Sequence, residues 1–188
     1  GEEAQVWLAD QTVEITADPA LWLDSQMLTI PESQILSMAA FGGQGAVLFE
    51  VNRDPASGEL NLTNLPEGRT LRYGTALTPN FTVIGQLQLL DVAQRVTLRW
   101  EGAARRVYRL VDGRRVTVQT AADAGDFWIQ VQVGQEDEQV ASLDGTDVFV
   151  NITAFQQETF DFKVSQRTFT DLTADLEQFL KPLEEPTQ

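Results

Sequence analysis

Arg105-Arg106-Val107-Tyr108-Arg109-Leu110-Val111-Asp112-Gly113-Arg114-Arg115-Val116-Thr117-Val118-Gln119-Thr120-Ala121 is two β-rich runs around a two-residue turn. Asp and Gly both tolerate the positive φ that such a turn requires, so Arg105–Val111 and Arg114–Ala121 read as an antiparallel hairpin. Val116 and Val118 alternate with Arg115, Thr117 and Gln119, which gives the second strand one apolar and one polar face. Val107 is expected to share the apolar face, with Tyr108 as a further contact. Phe127, Ile129, Val131 and Val133 alternate against Trp128, Gln130 and Gln132, predicting a third strand.

Downstream, residues 134–145 are polar and acidic and read as an exposed connection. Phe149–Ile152 and Phe160–Val164 are further β-like runs, with a short helix as the alternative for the first. Thr168–Leu180 is expected to be a helix striped by Leu172, Leu176 and Phe179/Leu180. Thr168 with Asp171 three residues on resembles a capping box, and Pro182 and Pro186 end the pattern.

Upstream, Thr78-Pro79 reads as a helix start, with Thr78 as the N-cap. Phe81, Ile84, Leu87 and Leu90 then form one stripe. Gly85 inside that stripe is unfavourable by ~1 kcal/mol relative to Ala, unless it marks close packing. Gln34–Phe41 and Ala46–Asn52 flank Gly42-Gly43-Gln44-Gly45 as a second hairpin, with Glu59–Thr63 as its third strand and 64–73 as loop. Val6–Leu8 and Thr12–Ile15 are short strand candidates, and Ala20–Met27 a helical turn.

Strand–turn–strand–strand–helix thus occurs over 34–92 and again over 105–181. The expected fold class is α+β: a two-layer sandwich of mainly antiparallel sheet with helices on one face, built from two repeated β-β-β-α units. The units are placed at 1–94 and 95–188, joined as two halves or as one continuous domain.

Composition narrows the chemistry. The 188 residues hold 28 acids and 13 bases, a net charge of −15, with neither Cys nor His. That removes disulfides, thiolate metal sites, cysteine nucleophiles and any catalysis that needs imidazole. The acid excess disfavours nucleic acid and anionic membrane surfaces. The charge is uneven, however. Residues 1–94 carry 12 acids and 3 bases, and 121–188 carry 14 acids and 3 bases, while 95–120 carry 2 acids and 7 arginines.

That basic segment supplies the first-choice recognition surface. Arg105, Arg106, Arg109, Arg114 and Arg115 flank one hairpin and are expected on the face opposite Val107, Val116 and Val118, as an anion or partner patch. A solvated charged face is the plain alternative. Gly42–Gly45 lacks the Lys and helix N-terminus of a phosphate loop. Glu136-Asp137-Glu138 and Asp144–Asp147 miss calcium-loop spacing, and Asp123 and Asp126 read as turn residues. Trp7, Trp22, Trp100 and Trp128 could stack on sugars but fit core positions better. Three Asn-x-Thr triplets begin at Asn61, Asn80 and Asn151. No pattern calls for a cofactor, metal or catalytic residue. A carboxylate-dependent enzyme acting on an envelope glycan stays open as an alternative, and so does a surface ligand-binding module that uses the Arg-rich hairpin.

Several runs together follow one order: Gln5-Val6-Trp7-Leu8, Trp22-Leu23-Asp24, Ile30-Pro31, Gln34-Ile35, Leu62–Arg69, Leu87–Val92, Val107–Gly113, Asp126–Ile129 and Phe160–Lys163. In this order the chain resembles the domain-of-unknown-function family 4340 of Gram-negative bacteria over about residues 5–181. The resemblance implies a membrane-anchored envelope protein of which this chain is the C-terminal portion. The anchor would be an N-terminal helix upstream of the abrupt Gly1-Glu2-Glu3-Ala4 start, with the domain on the periplasmic side. It implies a non-enzymatic binding or scaffold module accessory to a gliding-motility-type ABC transporter, with a permease or auxiliary subunit as partner. It implies no catalytic residues. Phe160 stands where the family commonly has Trp or Tyr.

Overall fold

A computed structural model of the chain describes residues 28–63, 65–94, 100, 103–135 and 160–182. The expected elements at Val6–Leu8, Thr12–Ile15, Ala20–Met27 and Phe149–Ile152, and most of the acidic connection, lie outside these residues.

The strands are β1 (Ile35–Phe41), β2 (Val47–Arg53), β3 (Leu60–Leu62), β4 (Asp91–Gln94), β5 (Ala104–Leu110), β6 (Arg114–Asp123), β7 (Asp126–Gln135) and β8 (Phe160–Val164). Among the described residues they form one sheet in the order β3-β2-β1-β5-β6-β7-β8-β4. Every pairing is antiparallel. The helices are α1 (Thr78–Thr82), continued as a 3-10 turn over Val83–Gln86, and α2 (Gln166–Thr173), followed by a 3-10 turn at Leu176–Gln178. The fold is therefore sheet-rich with few helices. The sheet runs through both expected units: β1 pairs with β5, and β4, at the end of the first unit, pairs with β8 of the second.

Turn chemistry explains the hairpins. Gly113 has φ 81° and its N–H bonds the Leu110 carbonyl, while Asp112 Oδ1 accepts from the Arg114 N–H. Gly45 has φ 79°, and its N–H bonds the Gly42 carbonyl, so the glycine run is a hairpin turn as expected. These positions require the left-handed region that glycine enters without a Cβ clash.

Register then builds the core. One cross-strand row reads Val51, Met38, Tyr108, Val116, Val133, and the next reads Phe49, Ala40, Arg106, Val118, Val131. Both rows face the helices, where Phe81, Ile84, Leu87 and Leu172 are fully buried. At ~1.5–3 kcal/mol of gross burial each, these four anchor the helical layer.

Four expectations need correction. Val107 does not face inward; it lies opposite Thr117 and Ala39 on the outer face. The first helix is shorter than expected, with Leu77 at the N-cap and no side-chain cap, and Leu90 is 47 % exposed. The chain turns extended at Leu87 and forms β4, which periodicity did not predict. The second helix starts two residues earlier than Thr168. Ser165 Oγ caps it by accepting from the Thr168 N–H, and it breaks at Ala174, where ψ is 134°. Asp175 caps the following turn. Within the expected loop at 64–73, Leu71 bridges Leu180, and Arg69 holds Glu177 at 2.8 Å.

Candidate functional site

Strand β5 carries the residues of interest on both faces. In an antiparallel ladder the residues directly opposite point the same way. Arg105 pairs with Gln119, Val107 with Thr117, and Arg109 with Arg115, all on the outer face. Arg106 pairs with Val118 and Tyr108 with Val116, on the inner face. The five arginines are therefore split. Arg109 and Arg115 are exposed side by side, with Arg105 four residues back along the same face of β5. Arg105 lies 4.4 Å over the Phe41 ring, its cross-strand partner on β1, a cation–π contact. Arg114 turns back onto its own turn and pairs with the Asp112 carboxylate.

Arg106 leaves the patch altogether. It is 1 % exposed, in the middle of an otherwise apolar row. Its Nη2 donates to the Ala174 carbonyl at 2.6 Å, at the C-terminal end of α2. That end carries partial negative charge, so a cation there is favourable. Among the described residues its Nη1 reaches the Arg105 carbonyl alone, at 3.5 Å, its Nε has no partner, and the Phe49 ring lies 5.4 Å away. Burial pulls the guanidinium below its ordinary value. Next to it Tyr108 donates to the Asn80 carbonyl at 3.1 Å, and burial pushes its phenol well above the ordinary value. Asn80 is also 1 % exposed; its Nδ2 donates to the Asp171 carbonyl, and its Oδ1 has no partner. Two donors of the sheet thus end on main-chain carbonyls of the helical layer.

This inner cluster was outside the sequence reading, because the turn was read one residue too short. A two-residue Asp112-Gly113 turn would set Val116 and Val118 opposite Arg109 and Val107; the loop instead holds three residues, Val111–Gly113, and the shifted register sets them opposite Tyr108 and Arg106. A second buried polar group lies on the outer face. Asp161 Oδ1 accepts from Gln130 Nε2 at 2.8 Å, and Asp161 Oδ2 has no partner.

The remaining candidates resolve as follows. Asp123 and Asp126 pair across the β6–β7 turn, and Asp126 bonds Lys163 at 2.8 Å. Trp128 is half-buried on the outer face, and Trp100 is half-buried. Asn61 is exposed, whereas buried Asn80 is closed to modification in the folded chain. Trp7, Trp22, Asn151, Glu136–Glu138 and Asp144–Asp147 lie outside the described residues. Among the described residues no group of three or more acids is placed to hold a metal, and no helix is long and apolar enough to cross a membrane. A groove of about 730 Å³ runs between α1 and α2; among the described residues lining it, Asp171 is the one carboxylate and Arg167 the one cation.

The hairpin tip carries a pH dependence. Burial alone would raise the Asp112 carboxyl, but hydrogen bonds from the Arg114 side chain and N–H outweigh it and hold it below its ordinary value. A lowered carboxylate contributes stability above the unfolded value of ~3.9, and that contribution is lost as pH falls through the folded value. The pair is half-buried at the tip of a hairpin, where water still screens it, so the contribution is at most ~1 kcal/mol. Asp112→Asn should be less stable than wild type at pH 7 by that amount, with the gap closing below about pH 4. Urea unfolding of both proteins from pH 3 to 7 measures this, and a gap independent of pH would refute it.

No protein family, curated protein or solved structure matches the chain.

Proposed function

We propose that the chain is a non-enzymatic binding module that docks an acidic protein surface on the outer face of its sheet. One observation carries this: Arg109 and Arg115 are directly opposite and exposed, with Arg105 in line, in a protein of net charge −15. Like charges directly opposite on a sheet are destabilising, and an acidic partner surface across them would offset that repulsion. Charge complementarity of this kind sets partner choice and association rate. The resemblance to family 4340 supplies the setting: the periplasmic side of the envelope, an anchor upstream, and a permease or auxiliary subunit of an ABC transporter as the partner.

The finer architecture belongs to the same reading. The order β3-β2-β1 followed by β5-β6-β7 runs outward in both directions from an antiparallel β1–β5 pair. Two copies of a three-strand unit related by a local two-fold axis would give this order, with α1 and α2 as the paired helices. Strands β4 and β8 are additions that such a duplication does not explain.

The test is the double variant Arg109→Glu/Arg115→Glu in the membrane-anchored protein. The wild type should co-purify with transporter subunits in a salt-sensitive way. The variant should retain at least ~10-fold less, the equivalent of ~1.4 kcal/mol, with an unchanged melting temperature. Undiminished retention would overturn the docking surface. Co-purification of no transporter subunit with the wild type would overturn the setting.

A further inference from the structure

We propose that Arg106 and Tyr108 form an internal site for the carboxylate of an aliphatic ligand, closed in this conformation by α2. The two residues are separated by one position on β5 and share the inner face, so their Cα atoms are ~6.5–7 Å apart. A guanidinium and a phenol at that spacing can both donate to one carboxylate, which offers about four acceptor positions. Here both donors end instead on neutral carbonyls of the helical layer, Arg106 on Ala174 and Tyr108 on Asn80. Hydrogen bonds between charged partners are roughly twice as strong as neutral ones, so a carboxylate is the better acceptor for this pair.

Three observations point to a ligand rather than to packing alone. Arg106 is a fully buried cation and, among the described residues, has no carboxylate as a hydrogen-bond or ion-pair partner. Its Nε–H is left without an acceptor, and Asn80 Oδ1 is left without a donor. Buried polar groups are almost always satisfied, and exceptions call for a cause. The surroundings suit an alkyl chain: Phe49, Val118 and Val131 continue the row that holds Arg106. The cover is light. Helix α2 has eight residues, and Leu172 is its one fully buried side chain. Lifting it releases the Ala174 carbonyl from Arg106 and uncovers that row. The site is separate from the outer arginines, which face the other way.

Calorimetric titration with dodecanoate, and with dodecanol as the uncharged control, tests the proposal. Wild type should bind dodecanoate at least ~10-fold more tightly than dodecanol, the effect of a hydrogen-bonded charge. Tyr108→Phe should weaken dodecanoate ~10-fold, and Arg106→Met should abolish the preference for the acid. If Arg106→Met fails to fold, judged by near-ultraviolet circular dichroism, Tyr108→Phe carries the test alone. Arg109→Glu/Arg115→Glu should bind dodecanoate as wild type does. Absence of dodecanoate binding by the folded wild type, equal affinity for acid and alcohol, or an unchanged Tyr108→Phe would each overturn the proposal.

Discussion

Arg106→Glu should unfold the domain or lower its melting temperature by ~10–20 °C, whereas Arg109→Glu or Arg115→Glu alone should move it by no more than ~1–2 °C. Arg106 and Arg109 are three positions apart on one strand, Arg115 lies opposite Arg109 across the hairpin, and all are arginine. Arg106 is 1 % exposed and donates to the Ala174 carbonyl; the other two are exposed. Glutamate at 106 would place an anion in the apolar row against the oxygen that now accepts the hydrogen bond. An uncompensated buried charge costs ~3–5 kcal/mol, and a domain of this size loses ~2–4 °C per kcal/mol. Surface substitutions stay within ~0.5 kcal/mol. Arg106→Met should be far milder than Arg106→Glu, because it removes the desolvated charge together with its bond and leaves one under-bonded carbonyl. Thermal unfolding of the four variants decides the matter. A common small shift for all three glutamate variants would mean that Arg106 is not buried.

The same comparison shows how far the residues could be read before the fold was known. The hairpins were legible because Asp112-Gly113 and Gly42–Gly45 state their own geometry. Strands β6 and β7 were legible because Val116, Val118, Ile129 and Val131 alternate without interruption. Strand β5 was not, since hydrophobicity favours Val107 over Arg106 as the inward residue, and register overrules it. The loop holds three residues, Val111–Gly113, rather than two, and that one-residue shift exchanges the faces of β5 and puts the polar residue inside. Helix ends were misplaced for a related reason. Thr78 and Thr168 are good caps in isolation, but Ser165 precedes Thr168 and takes the role through a bond to its N–H. Strand β4 has no alternating signature; Asp91–Gln94 is a strand because β8 offers it an edge. The inner site depends on contacts such as Arg106 to Ala174, 68 residues apart, which no local pattern contains. The outer arginines were found because charge density is visible in one dimension, and cut from five to three because facing is not.

Gly85→Ala should destabilise the protein, although a helical stripe normally gains from that change. In an unhindered helix interior, alanine is better than glycine by ~1 kcal/mol. Gly85 sits in the 3-10 turn Val83–Gln86, and a Cβ built there would lie 2.3 Å from the Ile30 carbonyl oxygen. The obstacle is backbone, so it cannot rotate away. Either the turn or the Leu28–Ile30 segment must shift, and both are anchored, since Leu28, Ile30, Ile84 and Leu87 are all buried in the core. Overpacking of a close-packed site costs ~1–3 kcal/mol or more. After the helix gain is offset, a fall in melting temperature of several degrees is expected at ~2–4 °C per kcal/mol. Gly134→Ala is the control. That glycine lies in β7, nothing comes within 4 Å of its added Cβ, and its substitution should be neutral or slightly stabilising. The contrast separates two meanings of a glycine in an apolar run: a weak element, or the contact point of two backbones. Equal melting temperatures for the two variants would return Gly85 to the first meaning and remove the close approach to Ile30 as a determinant of the fold.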